Sequence, residues 1–221
     1  MVSLFAVAVV LFDSCSKNDE NPNTVKDVDG NSYTIVTIGT QQWFKENLRT
    51  TKYNDGSSIP NVTDNAAWEA LTTPAFAWWD NNAADYKIPY GAYYNWWAAA
   101  SGKLCPTGWH VPDLDEWITL SDFLGGEFVA GGKMKETGTI YWDDPNEGAT
   151  NSSGFSGIGH GQRNMEGDFS YKGMYGEYWS PNGYAGVGKN PSLGYNTERL
   201  MGLGNVGKDM KAGIAVRCVK D

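Results

Sequence analysis

The chain has 221 residues, with 17 Lys and Arg against 26 Asp and Glu, two His, three Cys, 27 Gly, 10 Trp and 12 Tyr. Two histidines exclude a three-His metal site, three thiols exclude a four-cysteine zinc ribbon, and a net charge of −9 argues against nucleic acid as a partner, because an acidic surface repels the polyanion. A hydrophobic share of 41% with 14% aromatic residues is enough to bury a sizeable core.

Val2 to Phe12 is an apolar run of 11 residues, too short to span a bilayer but suited to the hydrophobic part of a signal peptide, which is expected over residues 1–14. Ser14-Cys15 follows, and this pair resembles a bacterial lipobox, in which the Cys is acylated and becomes the mature N-terminus. Cys15 is therefore the expected lipidation site and membrane lipid its expected partner. Asp13 stands where a small residue is usual, and a secreted protein with an incidental Cys is the alternative. Ser16 to Glu20 resembles the charged tag that sends lipoproteins of the Bacteroidetes to the outer face of the outer membrane. Residues 15–26, polar and carrying Pro22, read as a lipid-anchored tether.

From Asp27 the chain reads as folded. Asp29-Gly30-Asn31 is a turn, and Tyr33 to Ile38 turns through Gly39-Thr40 into Gln41 to Phe44, which predicts a hairpin. Asp64 is placed to cap a helix over Asn65 to Leu71, and a second helix is expected over Gly91 to Ala100. The clearest helix signal follows Pro112. Asp113 and Glu116 have capping-box spacing, Trp117, Leu120 and Leu124 share a face, and Gly125-Gly126 ends the pattern. Sixteen of the 27 glycines lie at or after Gly148, interleaved with Tyr and Trp, as suits short strands joined by tight loops. Ile214 to Val219 alternates as a closing strand. With Cys15 assigned to lipid, Cys105 and Cys218 form the even pair of an exported protein and are expected to be disulfide-bonded.

The candidate ligand-binding residues are Trp78, Trp79, Asp80, Asn82 and Tyr93. Flat Trp and Tyr faces stack on sugar rings while neighbouring Asp and Asn bond hydroxyls; the competing reading is that the rings fill the core. Asp143, Asp144, Asn146 and Glu147 are oxygen-rich calcium candidates, with a plain acidic turn as the alternative. His110 and His160 have no Cys or His partner at ligand spacing and read as hydrogen-bonding loop residues; no cofactor is expected, and no metal beyond the calcium candidates. Catalytic residues are likewise not expected, since helix capping accounts for Asp113 and Glu116.

Several ordered motifs carry a family resemblance. Asp27 to Tyr33, Gln42 to Leu48, Cys105 to Pro112, Ala130 to Gly138, Ser153 to Phe155, Tyr178 to Ser180 and Val216 to Val219 resemble, in order, the Fibrobacter succinogenes major paralogous domain. Gly157 to His160 departs from the family's usual step. The resemblance extends over residues 27–221, read as one domain. It implies a surface or secreted protein, and its layout is similar to the C-type lectin-like fold shared with formylglycine-generating enzymes. The expected class is thus α+β, a single C-type lectin-like domain with short antiparallel strands, two or three short helices and long glycine-rich loops. The expected role is a non-enzymatic module binding a glycan or another surface protein; the alternative is an assembly subunit of a surface appendage.

Overall fold

The computed structural model describes residues 23–204 and 207–221; the expected signal peptide and Cys15 lie outside the described residues. The expected tether is corrected at its end. Thr24–Lys26 is the edge strand of a sheet, with Val25 opposite Tyr33 and packed against the same core.

That sheet has five strands in the order Thr24–Lys26, Ser32–Ile38, Gln41–Phe44, Val219–Lys220, Trp109–His110, all neighbours antiparallel. The predicted hairpin is present, with Ile38 opposite Gln41 across a two-residue turn. Gly39 in that turn holds φ 62°, and a Cβ there would lie 2.9 Å from the Phe123 ring, so glycine serves both the turn and the helix packed over it.

Both faces of the sheet are buried, and strand alternation sorts residues between two cores. Tyr33, Ile35, Phe44 and Trp109 enter one, with Leu48, Phe76, Tyr94 and Trp179. Val36, Ile38 and Trp43 enter the other, with Trp117, Leu120, Met134 and Phe155. The closing segment does the same: Ile214, Val216 and Cys218 belong to the first core, Ala215 and Val219 to the second. Its alternation therefore separates core from core, not core from solvent. Only Val219–Lys220 of that segment joins the main sheet, while Ile214 and Ala215 form single bridges to Tyr94 and Tyr178. Cys105 and Cys218 are bonded, with Cα atoms 6.0 Å apart, fixing the approach to Trp109–His110 against the last strand.

The described residues contain five α-helices where two or three were expected. Asp64 accepts from the Ala67 amide and starts Asn65–Glu69, which stops short of Leu71. Leu114–Phe123 begins with the predicted capping box: Asp113 accepts from the Glu116 amide while Glu116 accepts from the Asp113 amide. The helix expected from Gly91 is corrected. Tyr93–Tyr94 is a strand paired with Phe76–Ala77, and the helix is confined to Trp96–Ala99. The side-chain oxygen of Asn95 makes that break, accepting from the amides of both Ala75 and Ala98.

Glu127–Met134 has no counterpart in the sequence reading, because Gly131-Gly132 looks like a breaker. A Cβ at Gly131 would lie 2.3 Å from the Arg199 carbonyl and one at Gly132 2.4 Å from that of Gly148. The glycines let two backbones press onto the helix. Ala83–Tyr90 completes the set, and four smaller antiparallel sheets of two or three strands fill the rest of a mixed helix and sheet architecture.

Candidate functional site

The Phe76–Ala77 strand runs on into Trp78 with extended backbone, so Phe76 and Trp78 turn to the same side and Trp79 to the other. Trp78 is 6% exposed and packs edge-on to Phe76 at 5.4 Å. Tyr93 is 1% exposed and its hydroxyl donates to the His160 carbonyl. Both rings are core, which corrects the expectation that they present open faces to a ligand. Trp79 is half-buried, against Tyr93 at 5.9 Å and Phe169 at 5.3 Å. Asp80 is exposed with φ 51°, and Asn82 caps Ala83–Tyr90 by accepting from the Asp85 amide.

That short helix carries Tyr86 and Tyr90 up beside Trp79, and the Tyr171–Tyr175 loop lays Lys172 over all three. The Lys172 ammonium sits 5.4 Å from the Trp79 ring, 5.0 Å from Tyr86 and 5.8 Å from Tyr90. Tyr86 meets Tyr90 at 5.9 Å, and Tyr90 meets Tyr141 edge-on at 6.3 Å. Beside this cluster is a depression of about 130 Å³ lined by Tyr90, Tyr141, Asp143 and Lys172 among others. Burial, with Tyr141 and Tyr86 adding, holds the Tyr90 hydroxyl above the usual phenol range, so it remains a proton donor at neutral pH. The surface thus combines ring area, a carboxylate, a cation and a phenol, the set that binds polyhydroxylated ligands.

Trp79 was within reach of sequence reasoning. Tyr86 and Tyr90 carry no such signal, since the helix breaks between them at Ile88, with φ −122° and ψ 126°, and Tyr141 and Lys172 arrive from loops. A second cleft, of about 390 Å³, is bordered by the same Tyr171–Tyr175 loop and is lined by Tyr171, Met174, Tyr175, Glu177, Met201 and Lys208, with Ser192.

The calcium candidates do not converge. Asn146 is buried, its amide donating to the carbonyls of Glu136 and Gly138 at 2.9 and 2.7 Å, whereas Asp143, Asp144 and Glu147 are exposed. No group of three His, Cys, Asp or Glu among the described residues is placed to hold a metal ion.

The two histidines have contrasting settings. His110 is clamped between acids, Nδ1 2.7 Å from Asp221 and Nε2 2.9 Å from Glu116. Burial pulls its pKa down, but the bonds to Asp221 and Glu116 outweigh this and hold it above the ordinary imidazole value. His160 is fully buried, its Nδ1 bonded to the Gly161 carbonyl, and burial drives its pKa down to about 3.

No curated protein and no solved structure matches the chain significantly. The sequence model of the Fibrobacter succinogenes major domain matches residues 36–220, a span that includes both histidines, the disulfide and every wall of the aromatic depression, and the chain belongs to that family.

Proposed function

We propose that the protein is a lipoprotein anchored to the outer membrane through acylated Cys15, facing the exterior, and that its folded part is a non-enzymatic binding module for glycans. The observation that carries the glycan reading is the aromatic depression, lined by Tyr90, Tyr141, Asp143 and Lys172, with Trp79 and Tyr86 at its margin under the same Lys172 ammonium. The C-type lectin-like reading draws support from the last strand lying between the hairpin and Trp109–His110, and from long loops held by a disulfide. Loops on a fixed scaffold are where binding concentrates.

A glycan array probed with the purified protein tests this reading. Tyr90→Ala and Trp79→Ala should weaken the recognised glycan by roughly 1–3 kcal/mol each, the range of aromatic anchors, with melting temperature recorded alongside because Trp79 is half-buried. An array with no signal removes the proposal. Anchoring has its own test: wild-type protein should enter the detergent phase after membrane extraction, and Cys15→Ala should not.

The second reading, an assembly subunit, rests on Phe123 and Phe128, which stand 63% and 65% exposed on two successive helices. Sedimentation showing self-association that Phe123→Ser abolishes would favour it.

A further inference from the structure

The second cleft differs in chemistry from the aromatic depression. Tyr171, 50% exposed and with φ 63°, forms one wall with Tyr175, which it meets edge-on at 5.8 Å. The charged groups are Glu177 and Lys208, an ion pair of 2.7 Å, and Ser192 adds a hydroxyl to the lining. Glu177 also accepts from Asn190 at 3.2 Å, and Lys208 also donates to Gln162. An ammonium has three protons and a carboxylate about four lone-pair sites, so each group retains capacity after these bonds.

A free anion placed here would face Glu177 and a free cation would face Lys208. A neutral ligand with two adjacent hydroxyls satisfies both, because each hydroxyl is donor and acceptor: one gives its proton to the carboxylate while the other accepts from the ammonium. The exposed Tyr171 ring supplies the flat surface that the apolar face of a pyranose needs.

The position of this cleft adds a second constraint. Tyr171 and Met174 line it, while Lys172 and Gly173 line the aromatic depression. Consecutive Cα atoms are about 3.8 Å apart, so a single turn of loop separates the two. We infer that the two depressions are subsites of one extended site, and that its ligand is a linear neutral polysaccharide straddling the Tyr171–Met174 ridge. One unit stacks in the aromatic depression, and a later unit is read through its hydroxyls by Glu177 and Lys208 with Tyr171 as platform. This inference rests on the glycan-binding reading of the aromatic depression and adds the class and length of the glycan.

Titration calorimetry with neutral linear oligosaccharides of two, four and six units, from mannan, xylan and β-glucan, tests it, with polygalacturonate fragments as the acidic counterpart. At least one neutral series should gain ten-fold or more in affinity between two and six units. Tyr171→Ala and Glu177→Gln should each erase that gain while leaving the short oligosaccharide bound as before. Tyr171 is a surface ring, so its variant keeps the test decisive even if Glu177→Gln unfolds. Equal affinity at two and six units, a gain that survives Tyr171→Ala, or preference for polygalacturonate overturns the second subsite and leaves the glycan reading standing. Absence of binding to every neutral and acidic series overturns both.

Discussion

Three buried cations show how a chain with little regular structure satisfies its loops. Arg217 donates to the carbonyls of Phe44, Phe155 and Ser156 and to the side-chain oxygen of Asn47. Arg163 donates to the carbonyls of Gly167, Val62 and Thr63 and to the side chain of Asn65. Lys135 donates to those of Glu147, Gly194 and Thr197. All three are 1% exposed or less, and none of these bonds goes to a carboxylate. Buried carbonyls that no sheet or helix pairs need donors, and a multi-pronged cation supplies several at once. Burial lowers the Lys135 pKa to about 8, which leaves it charged at neutral pH. Arg217→Met should therefore strand four buried acceptors and cost about 3 kcal/mol or more, read as a lower urea midpoint at unchanged slope. A loss under about 1 kcal/mol would mean that the loops find other donors. The sequence shows Arg217 only as one position of the alternating segment Ile214 to Val219; its role is illegible there because both sides of that segment are interior.

At the scale of elements, legibility followed how local the cause was. The Asp113 and Glu116 capping box spans four residues and is plain from spacing, as is the Gly39-Thr40 hairpin turn. The Glu127–Met134 helix was hidden because the contacts that require Gly131 and Gly132 come from residues 199 and 148. Trp78 and Trp79 read alike in the sequence, yet Trp78 is core and Trp79 half-buried, because adjacent residues of an extended segment face opposite ways and the sequence does not say which side is inside. Glu116 has a further task that capping does not reveal: it joins Asp221 in holding His110, tying Leu114–Phe123 to two strands of the main sheet. The folded pKa of His110 is raised, so its stabilisation is full below the unfolded value of about 6.5 and is lost as pH rises through the folded value above it. His160 acts in the opposite direction: stability is intact above about 6.5 and declines as pH falls from there toward its folded pKa of about 3. Thermal melts across pH 5 to 9 should show His110→Asn flattening the alkaline limb of the wild-type profile and sparing the acid limb. An unchanged alkaline limb would show that the clamp contributes nothing to stability.

Across the whole molecule, the closing segment divides the interior, and the disulfide decides how firmly it stays there. Residues 214–219 are 1% exposed or less, facing two cores in alternation, and their backbone is hydrogen-bonded to Phe44, Leu48, Tyr94 and Trp179, all distant in sequence. Withdrawing that segment would open both cores together, so the structure depends on its last residues more than on any one helix. Cys218 bonds Cys105 across 113 residues, and cross-linking a loop of that length removes about 4–5 kcal/mol of chain entropy from the unfolded state. Both sulfurs are buried in the first core, at 2% and 0% exposure, so a reductant should reach them only when the closing segment leaves. Two results follow. Native protein should resist dithiothreitol until denaturant or heat is added, and the Cys105→Ala, Cys218→Ala double variant should melt roughly 10–20 °C below wild type. Free thiols in native protein by non-reducing peptide mapping, or a double variant that melts with wild type, would show that core contacts alone hold the segment in place.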